Sequence, residues 1–415
     1  MTGSARICIV TPGALGSNPR VVKEADALSG AGHHVAVIST RTLDTVDPLD
    51  ADVLNRATWR SVRLDMRDRR KRRLPRAAQL ACGAAFQAVG GAGLAERGLN
   101  AFTAALLRQA LRTPADLYIA HYPAALPAAA RAAGAHGARY AYDAEDFHLG
   151  ETSGRAQAMT RTVEARYLPG CAYVTAAAPG IAEAYARCYG MERPAVLLNV
   201  FGRAEAPPVP SPGGWASLGP SVYWFSQTIG PDRGLECAVR AIGRAATRPH
   251  LYLRGSLAAG FGQVLSQLAD EVGAAERVHL LAPAPPSEMA RLAAAYDVGL
   301  VGETGLTDNH KIALSNKQFT YLLAGVPAVM SDVPGHRAFA METEGATFLY
   351  ATESAESLAE TLDGLLSEPQ RLARARAKAF ALAQSRFNWD VEQARLLTLV
   401  RAALGAKPPD EPCRC

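Results

Sequence analysis

The apolar positions of the first 40 residues change period twice. Arg6–Thr11 (RICIVT) is a short unbroken β-rich run, the pattern of a strand buried on both faces. A stretch punctuated by Gly and Pro, P-G-A-L-G-S-N-P-R, follows it. Val21, Val22, Ala25 and Leu28 then fall at helical spacing within Val21–Ala31, and Gly32 stands just past the end, where a left-handed cap is common. His34–Ser39 (HVAVIS) predicts a second strand. Strand, helix and strand make a βαβ unit with a right-handed crossover.

The alternation continues. Strands are predicted at Leu117–Ala120, Tyr140–Asp143, Tyr173–Ala176 and Val196–Asn199, with helices at Ala124–Ala133 and Gly180–Tyr189. Glu205–Pro220 then carries five prolines and three glycines in sixteen residues, so no regular element runs through it and it reads as a linker. Beyond it the pattern restarts. Strands are predicted at Ser221–Ser226, His250–Arg254, Val278–Leu281, Val298–Val301, Val326–Ser331 and Thr347–Leu349. Helices are predicted at Gly234–Ala246, Phe261–Val272, Ser287–Ala295 and Asn316–Ala324, and the tail reads as helical from Ala355 to Leu404. The expected architecture is α/β, with two Rossmann-like doubly wound domains facing a cleft. Its parts are a first half at residues 1–204, the linker at 205–220, a second half at 221–385, and a C-terminal helix with its tail at 386–415. Ligands of open α/β sheets bind beyond the carboxyl ends of the strands.

Composition adds limits. A chain of 415 residues suits two or three domains, and 49% hydrophobic with 20% charged residues allows a large core. The net charge of +5 suits an anionic ligand. The seven cysteines are widely spaced with no CxxC pair, which argues against a disulfide scaffold or a structural zinc site. Cys413 and Cys415 read as part of a frayed terminus. There is no basic-led apolar leader and no run of about 18 apolar residues, so the expectation is a cytoplasmic protein without a membrane span. The basic run Arg60–Arg76 is densest at Arg67, Arg69, Arg70, Lys71, Arg72 and Arg73. Only Trp59 lies near it, which disfavours nucleic-acid binding and leaves two readings, a solvated loop or a peripheral contact with an anionic membrane.

Four segments carry candidate chemistry. Thr11–Arg20 joins a strand to a helix, so Gly13, Gly16 and Asn18 could hold an anion through backbone N–H groups; a plain βα turn is the alternative. The full G-x-G-x-x-G is absent, and Ser39-Thr40-Arg41 stands where a ribose-binding acid would be, which disfavours a dinucleotide. Asp143, Glu145, Asp146, His148 and Glu151 crowd into nine residues after a strand. They suit proton transfer or hydroxyl binding, or else form a solvated capping loop. In S-Q-T-I-G-P-D-R-G-L-E, Arg233 stands at a helix start, where a cation opposes the dipole unless an anion lies between. The same argument applies to Lys317, in the first turn after the cap residue Ser315, at the end of the polar loop that begins at Glu303 and holds His310 and Lys311. For each cation a solvated side chain in a turn is the alternative.

Taken together, these segments resemble the GT-B glycosyltransferases of the retaining family-4 type. The opening I-C-I-V-T-P-G-A-L-G-S-N-P-R-V-V-K-E is similar to that family's Gly-loop and first helix. S-Q-T-I-G-P-D-R-G-L-E resembles the segment whose Arg and Lys bind the donor diphosphate, and S-N-K-Q-F-T-Y-L-L-A-G-V-P resembles the donor-binding helix before a G-x-P strand. F-N-W-D-V-E looks like the start of the C-terminal helix. The resemblance departs at four places. The family's diphosphate Arg falls on Gln227, its two glutamates fall on Ile312 and Thr320, and a frequent catalytic-site His falls on Glu145.

The resemblance implies transfer of a sugar, with retention, from a nucleotide-diphosphate donor such as a UDP- or GDP-sugar. The acceptor would be a sugar, a lipid-linked molecule or a small molecule. No metal or other cofactor is expected. The expected catalytic set is Arg233, Lys317, Glu145, Asp146 and His148. The expected donor set is Gly13, Gly16, Asn18, Gln227, Arg233, Glu303, Asn316, Lys317 and Thr320. Two alternatives stand beside this reading: a sugar-nucleotide epimerase of GT-B fold, and a non-catalytic nucleotide-sugar-binding module.

Overall fold

The computed structural model describes residues 4–42, 44, 47–207 and 218–405. Most of the expected linker and both terminal cysteines lie outside the described residues. Thirteen strands are formed among the described residues: β1 Arg6–Val10, β2 His34–Arg41, β3 Arg60–Asp65, β4 Leu117–His121, β5 Arg139–Ala144, β6 Val174–Ala176, β7 Ala195–Val196, β8 Ser221–Ile229, β9 His250–Leu257, β10 Val278–Leu281, β11 Val298–Val301, β12 Ala328–Ser331 and β13 Thr347–Tyr350. Two parallel sheets result, in the orders β3-β2-β1-β4-β5-β6-β7 and β10-β9-β8-β11-β12-β13. Both start from a central strand, wind outward one way and then return the other way, which is the doubly wound Rossmann-like arrangement of the GT-B fold class.

Contacts divide the chain into two units, Met1–Leu197 with Gln393–Cys415 and Leu198–Glu392. In the first, β1 and β4 are apolar along almost their whole length and lie side by side, with Ile7 beside Leu117 and Ile9 beside Ile119. The helix Pro19–Gly30 starts at Asn18, whose side chain accepts the Val21 amide, and it buries Val21, Val22, Ala25 and Leu28 as the spacing predicts. It also buries Arg20 and Glu24, which the apolar pattern does not show. In the second unit, the helix Leu235–Arg244 buries Leu235, Val239 and Ile242 against Val222, Trp224 and Leu253 of the sheet. Each such side chain contributes about 1.5–3 kcal/mol on leaving water.

Several elements differ from the sequence reading. The basic run is not a loop: it forms β3 and the first turns of a helix at Arg69–Val89. Helices at Asp47–Arg56, Ala92–Leu99, Thr103–Leu111 and Gly154–Tyr167 are not among the elements expected from the sequence. The strand β8 runs on through Gln227 and Thr228 because β9 is also longer and pairs with it to Leu257. The helical tail is three helices, Ala355–Leu366, Pro369–Ser385 and Trp389–Gly405, interrupted before Pro369 and at Arg386–Asn388. Among the described residues, no helix is long and apolar enough to cross a membrane.

Candidate functional site

In the unit Leu198–Glu392, polar groups gather where β8 and β11 end. After β8, the chain turns through Gly230–Gly234 into the helix Leu235–Arg244. Gly234 has φ +68°, and a Cβ there would sit 2.7 Å from the carbonyl oxygen of Gly302, so this turn and the end of β11 touch backbone to backbone. Arg233 precedes Gly234 and Glu303 follows Gly302. Arg233 is half-buried, and its Nη1 donates to Ser226 Oγ at 3.3 Å.

Lys317 enters from the helix Asn316–Leu323. Tyr321, one turn on, fixes that helix by donating to the carbonyls of Tyr223 (2.9 Å) and Leu300 (3.2 Å). The Lys317 side chain is 11% exposed, with Nζ 3.6 Å from Glu303 Oε1 and 5.6 Å from the centre of the Trp224 ring. Burial holds its ammonium below the ordinary lysine range; Glu303 opposes this shift and Arg233 adds to it. Glu303 is held below the ordinary range because Lys317 first, then His336, His310 and Arg233, outweigh its burial. His336 Nε2, His310 Nδ1 and Thr304 Oγ1 are among the polar atoms of this unit that are buried without a partner among the described residues. His336 is held by its other nitrogen, 2.9 Å from the Ser331 carbonyl. Cations thus outnumber anions here, at the N-terminal ends of two helices.

The other expected donor residues behave differently. Thr320 is fully buried and its hydroxyl donates to the Asn316 carbonyl of its own helix, so that oxygen is not turned outward. Asn316 is half-buried at the helix start and Gln227 is exposed on β8. Ser315 has the extended backbone of a cap, but its hydroxyl bonds the Gln318 side chain (2.9 Å) rather than a helix amide. Lys311 pairs at the surface with Asp308.

In the other unit a denser cluster lies where β4 and β5 end. Arg20 grips Asp143 with two nitrogens, Nε to Oδ2 at 2.5 Å and Nη2 to Oδ1 at 2.6 Å, while its Nη1 donates to the Leu197 carbonyl (2.7 Å). Thr175 Oγ1 also donates to Asp143. His121 bridges two carboxylates, with Nε2 2.6 Å from Glu24 and Nδ1 2.8 Å from Glu145. Burial alone would lower the His121 imidazolium; Glu24 first, then Glu145 and Asp143, outweigh it and raise its pKa to about 10. Asp143 is likewise driven up by burial but held below the ordinary carboxylate range by Arg20, with His121 and Thr175 helping.

Glu145 is the expected site residue that this network centres on. Its Oε1 accepts from Asn18 Nδ2 (2.8 Å) and meets His121, whereas its Oε2 has only the longer contact with Tyr122 Oη at 3.4 Å. Tyr122 holds φ +67°, a strained conformation for a residue with a side chain, and its ring packs 5.3 Å from that of His148. His148 is buried with Nε2 unpartnered, and Asp146 is half-buried beside Glu145 in the chain.

His121, Asp143 and Glu145 come close enough to offer a cation three donor atoms. They do not fit one. Arg20 and Thr175 take the Asp143 oxygens, and the two glutamates take both His121 nitrogens.

The Gly13–Gly16 loop needs a correction. The Gly16 amide donates to Asp50 Oδ1 at 2.7 Å and the Gly13 amide to Thr11 Oγ1 at 3.2 Å, so both N–H groups are already engaged. Gly16 is required for packing, since a Cβ would lie 2.5 Å from Leu49 Cβ. Asn18 divides its amide between the helix cap and Glu145. Sequence reasoning missed Arg20, Glu24, His121, Tyr122, Thr175, Trp224 and His336. Arg20 and Glu24 stand one turn apart on an otherwise apolar helix face, and that is the one signal that could have found them.

Comparison with known proteins places the fold. Residues 16–200 match the family model described as Glycosyl transferase 4-like domain. No curated protein matches the chain in sequence. Among solved structures it is similar to sucrose-phosphate synthase from Thermosynechococcus elongatus, with 17% identity, a TM-score of 0.72, and coverage of 95% of this chain and 98% of that one. It is also similar to HepE of Anabaena, solved with UDP and glucose, with 17% identity, a TM-score of 0.71, and coverage of 96% and 100%. TarM of S. aureus, solved with UDP, fondaparinux and α-GlcNAc-glycerol, gives 7% identity, a TM-score of 0.68, and coverage of 97% and 100%. These likenesses bear out the two Rossmann-like units and the GT-B resemblance.

Proposed function

We propose that this chain is a glycosyltransferase that holds a nucleotide-diphosphate sugar on the unit Leu198–Glu392 and activates an acceptor with the unit Met1–Leu197. The observation that carries the reading is Lys317, a nearly dry ammonium with one carboxylate at 3.6 Å and a second cation, Arg233, in the same field. Such an arrangement stabilises an anion more than it stabilises itself.

As the glycosidic bond breaks, negative charge builds on the leaving diphosphate. Lys317 and Arg233 meet that charge, together with the N-termini of the helices that carry them. Removing one such pre-placed donor from an enzyme costs about 2.7–4 kcal/mol of transition-state stabilisation. The two side chains supply the positive charge, so the reading needs no metal. Retention follows if the leaving phosphate takes the acceptor proton on the same face of the sugar. Glu145, through its lightly engaged Oε2, is the group proposed to orient an acceptor hydroxyl within its own unit, with His148 and Asp146 beside it.

UDP-sugars are the first donors to test, because HepE and TarM were solved with UDP; GDP-sugars follow. Lys317→Ala and Arg233→Ala should each lower kcat/KM at least about 100-fold, roughly 2.7 kcal/mol. A loss below about threefold in both would reject the assignment. Isomerised sugar nucleotide formed without any acceptor would mark an epimerase. Nucleotide binding without turnover, whatever the acceptor, would mark a binding module.

A further inference from the structure

The helix Arg69–Val89 has two unlike faces. One is built into the fold. Gly83 on this helix and Gly98 on the helix Ala92–Leu99 cross so closely that a Cβ on Gly98 would lie 3.0 Å from Gly83 Cα and 2.7 Å from Met159 Sδ. Gln79 Nε2 donates to the Leu99 carbonyl on the same side, at 3.3 Å. Small residues let the helix seat deeply on that side, and its opposite side is left bare.

The bare side is apolar. Leu74 is 82% exposed, Leu80 61% and Val89 78%, three of the ten large hydrophobic side chains exposed among the described residues. At 100° per residue, Leu74, Ala77, Ala78, Ala81 and Ala88 share one arc, and every one of them is exposed. From Ala77 to Val89 the sequence holds no charged residue. Soluble proteins rarely leave a continuous stripe of this kind uncovered.

Positive charge stands at the head of the stripe. Arg69, Arg70, Arg73 and Arg76 are exposed and, among the described residues, none has an ion-pair partner. Arg67, just before them, shows the contrast: Asp44, Asp47 and Asp65 enclose it. The helix itself carries no acidic residue, and Asp68 is turned to cap the Arg70 amide.

We infer that this face docks the protein on an anionic lipid surface. The four free guanidinium groups meet the headgroups, and the stripe from Leu74 to Val89 enters the boundary with the acyl chains. A second copy of the chain is the weaker occupant, because it brings the same uncompensated positive charge. The thirteen uncharged residues are too few to span a bilayer, so the helix lies along the surface. This inference does not rest on the proposed reaction.

Co-sedimentation of the full chain with vesicles decides it. The protein should pellet with phosphatidylglycerol vesicles and stay in solution with phosphatidylcholine. It should leave the pellet as salt rises from about 0.1 M to 1 M, where the screening length falls from about 10 Å to 3 Å. The combined variant R69Q/R70Q/R73Q/R76Q should partition at least about 30-fold more weakly. L74S/L80S should partition about tenfold more weakly, with thermal unfolding unchanged since both side chains are exposed. Wild-type protein left in solution with phosphatidylglycerol overturns the inference, and so do variants that pellet like the wild type. A dimer in sedimentation velocity that L74S dissolves hands the face to a second copy and equally overturns it.

Discussion

The clusters at the ends of β4/β5 and of β8/β11 both stand where parallel strands of their own sheets end, yet they treat charge in opposite ways. Around Asp143 every buried charge has found its complement: Arg20 is gripped by two oxygens, and His121 sits between Glu24 and Glu145. Around Lys317 one carboxylate at 3.6 Å faces two cations. A network closed on itself holds a fold and fixes the direction of Glu145. A network left short of negative charge favours an anion, which is the basis of the proposed donor site. The contrast separates the two jobs on physical grounds alone, since burying an uncompensated cation costs stability that a structural role would not repay.

The contrast can be broken by experiment. The largest effect should come from opening the closed network. Arg20→Met leaves Asp143 buried without its guanidinium partner and should lower unfolding free energy by about 3–5 kcal/mol, read from the urea midpoint. Lys317→Met takes the nearest cation from Glu303, which is 21% exposed and keeps Arg233 and His336 in its field, so it should cost only about 1 kcal/mol of stability, while it abolishes the rise in Tm given by the bound nucleotide. If Lys317→Met costs as much stability as Arg20→Met, the two clusters are alike and the comparison fails.

Alkaline pH sharpens it further. The folded pKa of His121 is raised, so its stabilisation is complete below its unfolded value near 6.5 and is lost as pH climbs through about 10. Lys317 is shifted the other way, and its buried charge becomes less costly as pH rises. Between pH 6 and pH 10 the wild type should lose roughly 2–4 kcal/mol more than His121→Gln, measured by urea unfolding at both values. At the acid end Asp143 is the relevant group. Its lowered pKa gives stability that is full above about 3.9 and lost as pH falls below it. The smallest effect is expected at Thr320. Its hydroxyl is bound to its own helix, so Thr320→Val should change nucleotide affinity less than about threefold in calorimetry.

The fold was legible where period and punctuation agreed. Val21, Val22, Ala25 and Leu28, ended by Gly32, leave little choice but a helix, and strands such as Val298–Val301 are short apolar runs between turn signals. Arg60–Asp65 was not legible. It forms a strand because β2 offers it a free edge, a tertiary cause that no local pattern carries. Arg233 and Lys317 stood out in the sequence because a basic residue at a helix start contradicts the dipole, and that contradiction is visible in one dimension. The closed network was hidden for the converse reason. Arg20 and Asp143 lie 123 residues apart, and only the order β1-β4-β5 brings them together. The Gly13–Gly16 loop misled because the partner of the Gly16 amide, Asp50, belongs to a helix the apolar pattern did not announce.

The backbone contact between Gly234 and Gly302 governs how fast and how sharply a ligand is met. It ties the residues on either side, Arg233 and Glu303, to two strand ends that are themselves locked in one sheet. On the proposed reading, an arriving anion meets side chains already anchored to these strand ends. Association should run at the rate of diffusive encounter, with a single kinetic phase and little change in heat capacity, and differences in affinity among nucleotides should lie in how long each one stays.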